Sequence, residues 1–247
     1  MTTAVIIQAR LGSSRFPRKV LATLEGMAMI DHVVLRAKQI AKVDHVLVAT
    51  TTSKQDDELY AYCRDKQYDV FRGSEMDVLD RYCSATHLLK ADTLIRITGD
   101  CPLIDPKICE ECLDIFCVQE ADYVGNFYPP SFPHGLDLEV IRAEALFLAE
   151  QACHDPYGRE HVSPYITDHP HDFKIVYHSQ AENWNHLRVT VDEPEDLELV
   201  SEIMKRKGIH ASCADIVCLA QETPDLFALN HEARKRAESA AYTPPKD

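Results

Sequence analysis

Residues 4–21 read AVIIQARLGSSRFPRKVL, an apolar run of strand length followed at once by a strongly basic loop. The loop contains four cations: Arg10, Arg15, Arg18 and Lys19. No acidic residue precedes Glu25, although the whole chain has a formal net charge of -14. A bound anion accounts for such a cluster. A surface loop whose cations pair with the abundant acidic residues accounts for it equally well, so the loop alone leaves both interpretations open.

Outward from this stretch, short runs rich in β-branched residues alternate with segments of helical periodicity. The predicted strands are AVIIQ (4–8), HVLVATT (45–51), YDVF (68–71), TLIRITGD (93–100) and ADYVGN (121–126). Helical spacing of apolar residues covers 30–41, 56–67 and 76–90, and a further helix follows Pro106. Strands separated by single helices predict right-handed crossovers. We therefore expect an α/β fold with a mostly parallel central sheet and helices on both faces.

The Pro-rich segment YPPSFPHG (128–135) breaks this alternation. Beyond it the sequence predicts three more strands: GLDLEVI (135–141), FKIVYHS (173–179) and LRVTVD (187–192). We interpret residues 1–247 as a single domain. Within it, 122–190 is interpreted as a small inserted β subdomain that covers the open edge of the sheet and serves acceptor binding and dimerisation, and 209–247 as a helical C-terminal tail.

The composition excludes several classes of protein. A sequence pI of about 5.3 argues against general binding to nucleic acid or to a membrane surface, since both require a basic face. No apolar stretch approaches the roughly 18 residues of a membrane span. Nine cysteines, an odd number without a secretory signal, indicate reduced thiols in the cytoplasm. The CxxC of Cys109 and Cys112 lacks the second ligand pair that zinc requires, so we interpret it as helix packing.

The basic loop has the components of a phosphate site without matching a standard phosphate motif. GxxxxGK[ST] is absent, and Gly12 is a single glycine where the dinucleotide fingerprint needs three. Gly12 nevertheless allows the backbone to approach a ligand closely, and Ser13 adds a hydroxyl group. Arginine can bind phosphate oxygens in bidentate fashion, while Lys19 acts as a point charge.

Two aspartates lie where predicted strands end. Asp100 closes TLIRITGD, and Asp192 closes LRVTVD just before a helix that starts with Pro194. In parallel sheets ligands bind outside the carboxyl ends of the strands. Two carboxylates beside a triphosphate loop are suited to Mg²⁺-assisted transfer on phosphorus. Either residue alone is also explained as a turn residue or a helix cap, and Asp192 in particular as the N-cap ahead of Pro194.

Six ordered blocks of the chain resemble one known family. IIQARLGSSRFPRKVL resembles the pattern ARxxSxRxPxKxL of the sugar-acid cytidylyltransferases, which include the 3-deoxy-manno-octulosonate and acylneuraminate enzymes. Five later blocks are similar to the spore-coat polysaccharide branch of that family: FRGSEMDVLDRY, RITGDCPLIDP, GLDLEV, REHVSPYI and VTVDEPEDLELV. The matches extend from about Ala4 to Val200.

The resemblance implies a Rossmann-like nucleotidyltransferase fold and a reaction in which CMP passes from CTP to an acidic sugar, with Mg²⁺ as cofactor and pyrophosphate as leaving group. The nucleotide-binding residues that it implies are Ala9, Arg10, Leu11, Gly12, Ser13, Arg15, Lys19, Arg72, Thr98 and Asp100. Among them Arg10, Lys19 and Asp100 are the implied catalytic residues, and Asp100 with Asp192 is the implied metal pair. The 3-deoxy-manno-octulosonate enzymes have glutamine where Thr98 stands, which leaves the base contacts of this chain open.

The acceptor side of the predicted site is less specific. Asp137 and Glu139 alternate with leucines on a predicted strand, so both carboxylates face the same way. They could orient sugar hydroxyls or form the solvated face of a sheet. Arg159 and His161 could bind an acceptor carboxylate or belong to an ion-pair network. The resemblance also implies a homodimer formed through strands added to the sheet.

Three other functions are compatible with parts of the pattern. A glycosyltransferase of related fold would need a DxD motif after a central strand, and TGDCPLID has a single aspartate there. A nucleotidyltransferase that acts on a sugar phosphate fits the motifs nearly as well. A non-catalytic nucleotide-binding protein is disfavoured because Lys19, Asp100 and Asp192 are all present.

Overall fold

The computed structural model describes residues 1–240, with side chains as far as residue 237. Nine strands are found in this part of the chain: β1 (Thr3–Gln8), β2 (Thr23–Leu24), β3 (Met27–Ala28), β4 (His45–Thr51), β5 (Asp69–Gly73), β6 (Thr93–Thr98), β7 (Tyr123–Gly125), β8 (Glu139–Arg142) and β9 (Ile175–Tyr177). Seven of them form one sheet in the order β5-β4-β1-β6-β8-β7-β9, and β2 pairs with β3 as a short hairpin.

The predicted mostly parallel sheet is confirmed. Strands β5, β4, β1 and β6 are all parallel, and β9 is parallel to β7. Only β8 runs the other way, antiparallel to both β6 and β7. The segment 122–190 thus adds β7, β8 and β9 to the main sheet rather than forming a separate sheet.

Helices cover both faces of the sheet, as predicted. Those in the described residues are α1 (Met29–Ala37), α2 (Asp57–Asp65), α3 (Val78–Leu89), α4 (Pro106–Gln119), α5 (Ala143–Ala152), α6 (Pro156–His161), α7 (Pro164–Thr167), α8 (Pro194–Lys207), α9 (Cys213–Glu222) and α10 (His231–Ala240). Val5 and Ile7 of β1 belong to one apolar core, and Ile6 between them belongs to another. This alternation follows from the pleat, which turns successive side chains to opposite faces.

Local sequence signals explain where the helices begin. Asp77 accepts a hydrogen bond from the amide of Asp80 at 2.9 Å and so caps α3. The Asp105 carboxylate accepts one from the amide of Lys107, also at 2.9 Å, and Pro106 occupies the first turn of α4. In each case the carboxylate accepts a hydrogen bond from an amide of the first helical turn, which has no acceptor within the helix.

The prediction of a strand at LRVTVD was wrong. Residues 187–192 form only an isolated bridge, between His134 and Arg188, and take no place in the sheet. The amide of Val191 instead donates to the carbonyl of Asp100 at 2.8 Å. This bond ties the segment that carries Asp192 to the end of β6, which is what brings the two aspartates together.

Among residues 1–240, no helix has both the length and the apolar character needed to cross a bilayer. All nine cysteines are free, and Cys109 and Cys112 are fully buried in α4. Their burial agrees with the packing role predicted for the CxxC pair.

Candidate nucleotide-transfer site

The basic loop after β1 folds around Leu11. The amide of Leu11 donates to the Asp56 carboxylate at 2.7 Å, and its carbonyl accepts from the amides of Ser13 (2.9 Å) and Arg18 (3.0 Å). The Leu11 side chain is buried in the core. These contacts fix the two ends of the loop. The residues between Gly12 and Lys19 therefore lie beyond the carboxyl end of β1.

Lys19 joins the two strand-end aspartates. Its ammonium group donates to the carboxylates of Asp100 and Asp192, each at 2.8 Å. The lysine side chain is only 10% exposed, against 26% and 17% for the two acids. Burial alone would lower the pKa of Lys19, but the charges of both carboxylates outweigh it, and the pKa is raised from its ordinary value. Lys19 is therefore a fixed positive charge.

Asp192 lies among three cations. Besides Lys19 it contacts Arg15 at 3.1 Å and Arg188 at 2.7 Å, and Arg188 is held in turn by the buried Asp196. Burial would raise the pKa of Asp192, but the attraction to Lys19 and its other cationic partners lowers the pKa to about 2. Asp192 is thus ionised, and its oxygens face the site.

The alternative interpretation of Asp192 as a helix N-cap is wrong. Glu193 occupies that position ahead of Pro194, and the carboxylate of Asp196 accepts the hydrogen bond from the amide of Glu193 at 3.0 Å. Asp192 is one residue too early for capping, and its carboxylate instead contacts Lys19, Arg15 and Arg188.

A cavity of about 270 Å³ opens between the loop and the strand ends. Its lining residues are Gln8, Ala9, Arg10, Gly12, Ser13, Ser14, Arg15, Lys19, Val20, Thr98, Gly99, Asp100 and Asp192. The structure therefore brings together every predicted loop and metal residue except Leu11, whose side chain is buried in the core. Gln8, at the end of β1, was missed as a site residue; its place directly before Ala9 was the available signal.

Arg72 does not line this cavity. Arg72 pairs across the sheet with Thr50, whereas Gln8 pairs with Ala49, so Arg72 and Gln8 point to opposite faces. Its guanidinium donates to the carbonyls of Thr51 (2.7 Å) and Ser53 (2.8 Å) and to the exposed Asp57 carboxylate (2.7 Å). Strand register, which motif matching does not supply, explains its absence from the cavity.

A second cavity, of about 200 Å³, adjoins the first and shares Thr98, Asp100 and Asp192 with it. Asp137 and Glu139 both line it, as their spacing predicted. Glu139 is nearly fully buried, and it forms an ion pair with Arg96 and accepts a hydrogen bond from the Tyr123 hydroxyl at 2.7 Å. Arg96 also lines this cavity. It is a cation that the motif comparison did not single out.

Arg159 and His161 line neither cavity. The guanidinium of Arg159 forms an ion pair with Asp77 at the start of α3, contacts Glu150 at 3.2 Å, and donates to the Glu150 carbonyl at 2.7 Å. His161 is exposed, and its ring lies against Tyr157. The ion-pair network that was the alternative for Arg159 is the one found, because α6 packs on α3 and Arg159 lies beside Asp77.

Comparison with known proteins identifies the family. The profile of the cytidylyltransferases matches residues 4–228, most of the 247-residue chain. The chain belongs to the cytidylyltransferase family. It is accordingly a nucleotidyltransferase that uses CTP, and the predicted family and enzyme class are confirmed.

Individual cytidylyltransferase relatives extend this result. The spore coat polysaccharide biosynthesis protein SpsF of Bacillus subtilis is 34% identical over 230 residues, which cover 89% of this chain and 94% of SpsF. A 3-deoxy-manno-octulosonate cytidylyltransferase of Anaeromyxobacter sp. is 41% identical over 110 residues, 43% of this chain and 44% of that enzyme. A solved cytidylyltransferase from Leptospira borgpetersenii has a TM-score of 0.87 at 29% identity and covers 92% of this chain and 97% of its own. The predicted Rossmann-like nucleotidyltransferase fold is confirmed.

Proposed function

We propose that this cytidylyltransferase transfers CMP from CTP to a hydroxyl group of a sugar acid, with release of pyrophosphate, for surface polysaccharide biosynthesis. The observation that carries the proposal is the convergence of Lys19, Asp100 and Asp192 where the two cavities meet. A donor nucleotide in the first cavity and an acceptor in the second would place the α-phosphorus at this junction. There the charge that develops during transfer lies beside a fixed cation.

The first cavity is suited to a triphosphate. Arg10 is exposed and forms no hydrogen bond or ion pair with any residue in the described part of the chain, so its guanidinium is available for a ligand. Arg15 is about half exposed and pairs only with Asp192 among the described residues. Ser13 and Ser14 add hydroxyls at the rim. Together these residues provide the cations and donors that phosphate oxygens require.

Asp100 and Asp192 fit a Mg²⁺ ion that is completed by substrate oxygens. Both carboxylates lie within 2.8 Å of one ammonium nitrogen, so their oxygens already converge on a cation. No group of three or more His, Cys, Asp or Glu side chains suited to a metal occurs in the described residues. A pair of carboxylates together with phosphates and water is the usual Mg²⁺ environment in such sites. When bound, the ion would offset negative charge on the phosphates.

The second cavity supports the acceptor assignment. Asp137 and Glu139 place carboxylates where they can accept hydrogen bonds from sugar hydroxyls. Arg96 donates to Glu139 through one terminal nitrogen, while its Nε–H is buried without a partner. A carboxylate on the acceptor would supply one, which supports an acidic sugar. The similar enzyme from Anaeromyxobacter acts, by its name, on such a sugar acid.

A pyrophosphate-release screen tests the proposal. CTP, UTP, ATP and GTP are each combined with a panel of sugar acids and sugar phosphates, in the presence of Mg²⁺ and after its removal with chelator. We expect release only with CTP, a sugar acid and Mg²⁺. Release with sugar phosphates alone would identify the phosphorylated-acceptor activity instead, and no release with any pair would contradict an enzymatic role.

We also propose a cytoplasmic homodimer. Strand β9 ends the sheet order, and the exposed rings of Phe127 and Tyr128 pack against Tyr177 of that edge strand. An exposed edge with an apolar rim favours a symmetric partner. Sedimentation at micromolar concentration should give a dimer that Tyr128→Asp dissociates. A monomeric parent protein would contradict the assignment.

A further inference from the structure

Gln8 is a polar residue of the first cavity for which the basic loop gives no explanation. It is the last residue of β1, and it pairs across the sheet with Ala49 and with Thr98. Gln8 and Thr98 therefore lie side by side on one face and form an uncharged polar wall of the cavity, next to the cationic loop. The uncharged part of a nucleotide is its base and sugar, so this wall is where the base would be recognised.

The side-chain amide of Gln8 has no hydrogen-bond partner in the described part of the chain. Its Oε1 is buried, yet it accepts no hydrogen bond, and the amide forms none with any other described residue. Buried polar atoms are nearly always paired in native proteins, because an unpaired one costs the free energy of its lost hydration. A buried acceptor at the wall of a ligand cavity is explained if its partner arrives with the ligand.

We propose that Gln8 is a specificity-determining residue that reads the cytosine ring of CTP. Oε1 accepts a hydrogen bond from the 4-amino group, and Nε2 donates to ring nitrogen N3. Uracil presents the reverse pattern at these positions, a donor at N3 and an acceptor at O4. The inference rests on the proposed function, since it requires CTP in the first cavity, and it supplies a base contact where Arg72 is absent.

Gln8→Met is the decisive variant, because it keeps the length of the side chain and removes the amide. Since the amide has no partner in the free protein, the variant should melt at the same temperature as the parent or higher. Its affinity for CTP with Mg²⁺, measured by calorimetry, should fall about tenfold or more. Its affinity for inorganic tripolyphosphate, which has no base, should stay unchanged. Gln119→Met, at an exposed position at the end of α4, is the matched control and should bind both ligands like the parent.

A second variant fixes the direction of the hydrogen bonds. Gln8→Glu can still accept from the 4-amino group of cytosine, but it sets a carboxylate oxygen against the N3 lone pair where Nε2 donated, whereas the N3–H of uracil can donate to that carboxylate. The ratio of kcat/KM for CTP over UTP should therefore fall about tenfold.

The outcomes separate this inference from the proposed function. A parent protein that binds tripolyphosphate but shows no preference for CTP overturns both. A parent that binds CTP, with Gln8→Met binding it equally well, overturns the role of Gln8 alone. So does a Gln8→Met variant that unfolds, since the amide would then be a structural group.

Discussion

Replacing Lys19 with methionine separates the central cation from the rest of the basic loop. The substitution keeps the aliphatic length of the side chain and removes the ammonium group that lies 2.8 Å from both Asp100 and Asp192. The adjacent Arg18 provides the control, since within the described residues its guanidinium pairs only with Glu58, at 2.6 Å, and both side chains are more than half exposed. Arg18 has a φ of 62°, so the control is Arg18→Met rather than glycine, which would also relieve the backbone.

The expected magnitudes follow from burial. Removing one partner of a fully buried ion pair costs about 3–5 kcal/mol, because the other charge is left uncompensated. Asp100 and Asp192 retain 26% and 17% of their exposure and Asp192 keeps two arginines, so we expect Lys19→Met to cost about 2 kcal/mol. In a domain of this size that lowers Tm by about 4–8 °C. The exposed Arg18–Glu58 pair contributes at most about 1 kcal/mol, so the control should stay within about 4 °C of the parent.

Kinetics then separate stability from transition-state stabilisation. At saturating CTP, Lys19→Met should lower kcat by at least about 100-fold, since a charge that develops at phosphorus loses its fixed cation. Arg18→Met should leave kcat and KM within about threefold. Both variants are assayed at least 15 °C below their measured Tm, so that unfolding does not enter. Equal losses in the two variants would refute the distinction and make the loop a general electrostatic attractor.

Three other expectations concern Asp100, Arg159 and His32. Asp100→Asn should remain folded by circular dichroism but lose kcat by about 100-fold or more; activity within about tenfold of the parent would make Asp100 a turn residue. Arg159→Met should lower Tm by about 3–6 °C, because it breaks the contacts to Asp77 and Glu150, yet leave acceptor KM unchanged. A raised KM for the acceptor at unchanged Tm would instead show that Arg159 binds the acceptor. Burial lowers the pKa of His32, which contacts the Leu24 carbonyl at 2.8 Å. The unfolded chain therefore binds the proton more readily, and stability should fall as the pH drops through about 6.5. A melting series from pH 8 to pH 5 should show this slope in the parent and a shallower one in His32→Gln; equal slopes would contradict it.

The sheet and the main site were predictable because both depend on local signals. Alternating apolar runs and helical periodicity place β1, β4, β5 and β6 in one parallel sheet, and the carboxyl ends of parallel strands meet at one edge. Lys19, which follows β1, and Asp100, which follows β6, therefore had to lie near each other. Asp192 lies beside them for a different reason, because the amide of the preceding residue, Val191, donates a hydrogen bond to the Asp100 carbonyl. No repeating pattern in the sequence reveals that bond.

Two predicted residues lie outside the cavities for reasons that motifs do not contain. Arg72 lines neither cavity because the face on which a strand residue lies is decided by register and parity, and its role in base recognition stays a prediction. Arg159 lies in a block that resembles the family, but α6 packs on α3 and the guanidinium forms ion pairs with Asp77 and Glu150. Gln8 was missed for a third reason. Whether a buried amide lacks a hydrogen-bond partner can be determined only from the three-dimensional positions of the groups around it.

The fate of each phosphate of CTP tests the proposed cytidylyl transfer most directly. The enzyme is incubated with Mg²⁺, a panel of sugar acids and CTP labelled either at the α- or at the γ-phosphate, and the products are separated by chromatography. We expect the α-label in a sugar nucleotide and the γ-label in pyrophosphate, as cytidylyl transfer at the junction of the two cavities requires. Appearance of the γ-label on the sugar, or retention of both labels in CTP with every acceptor, would contradict it.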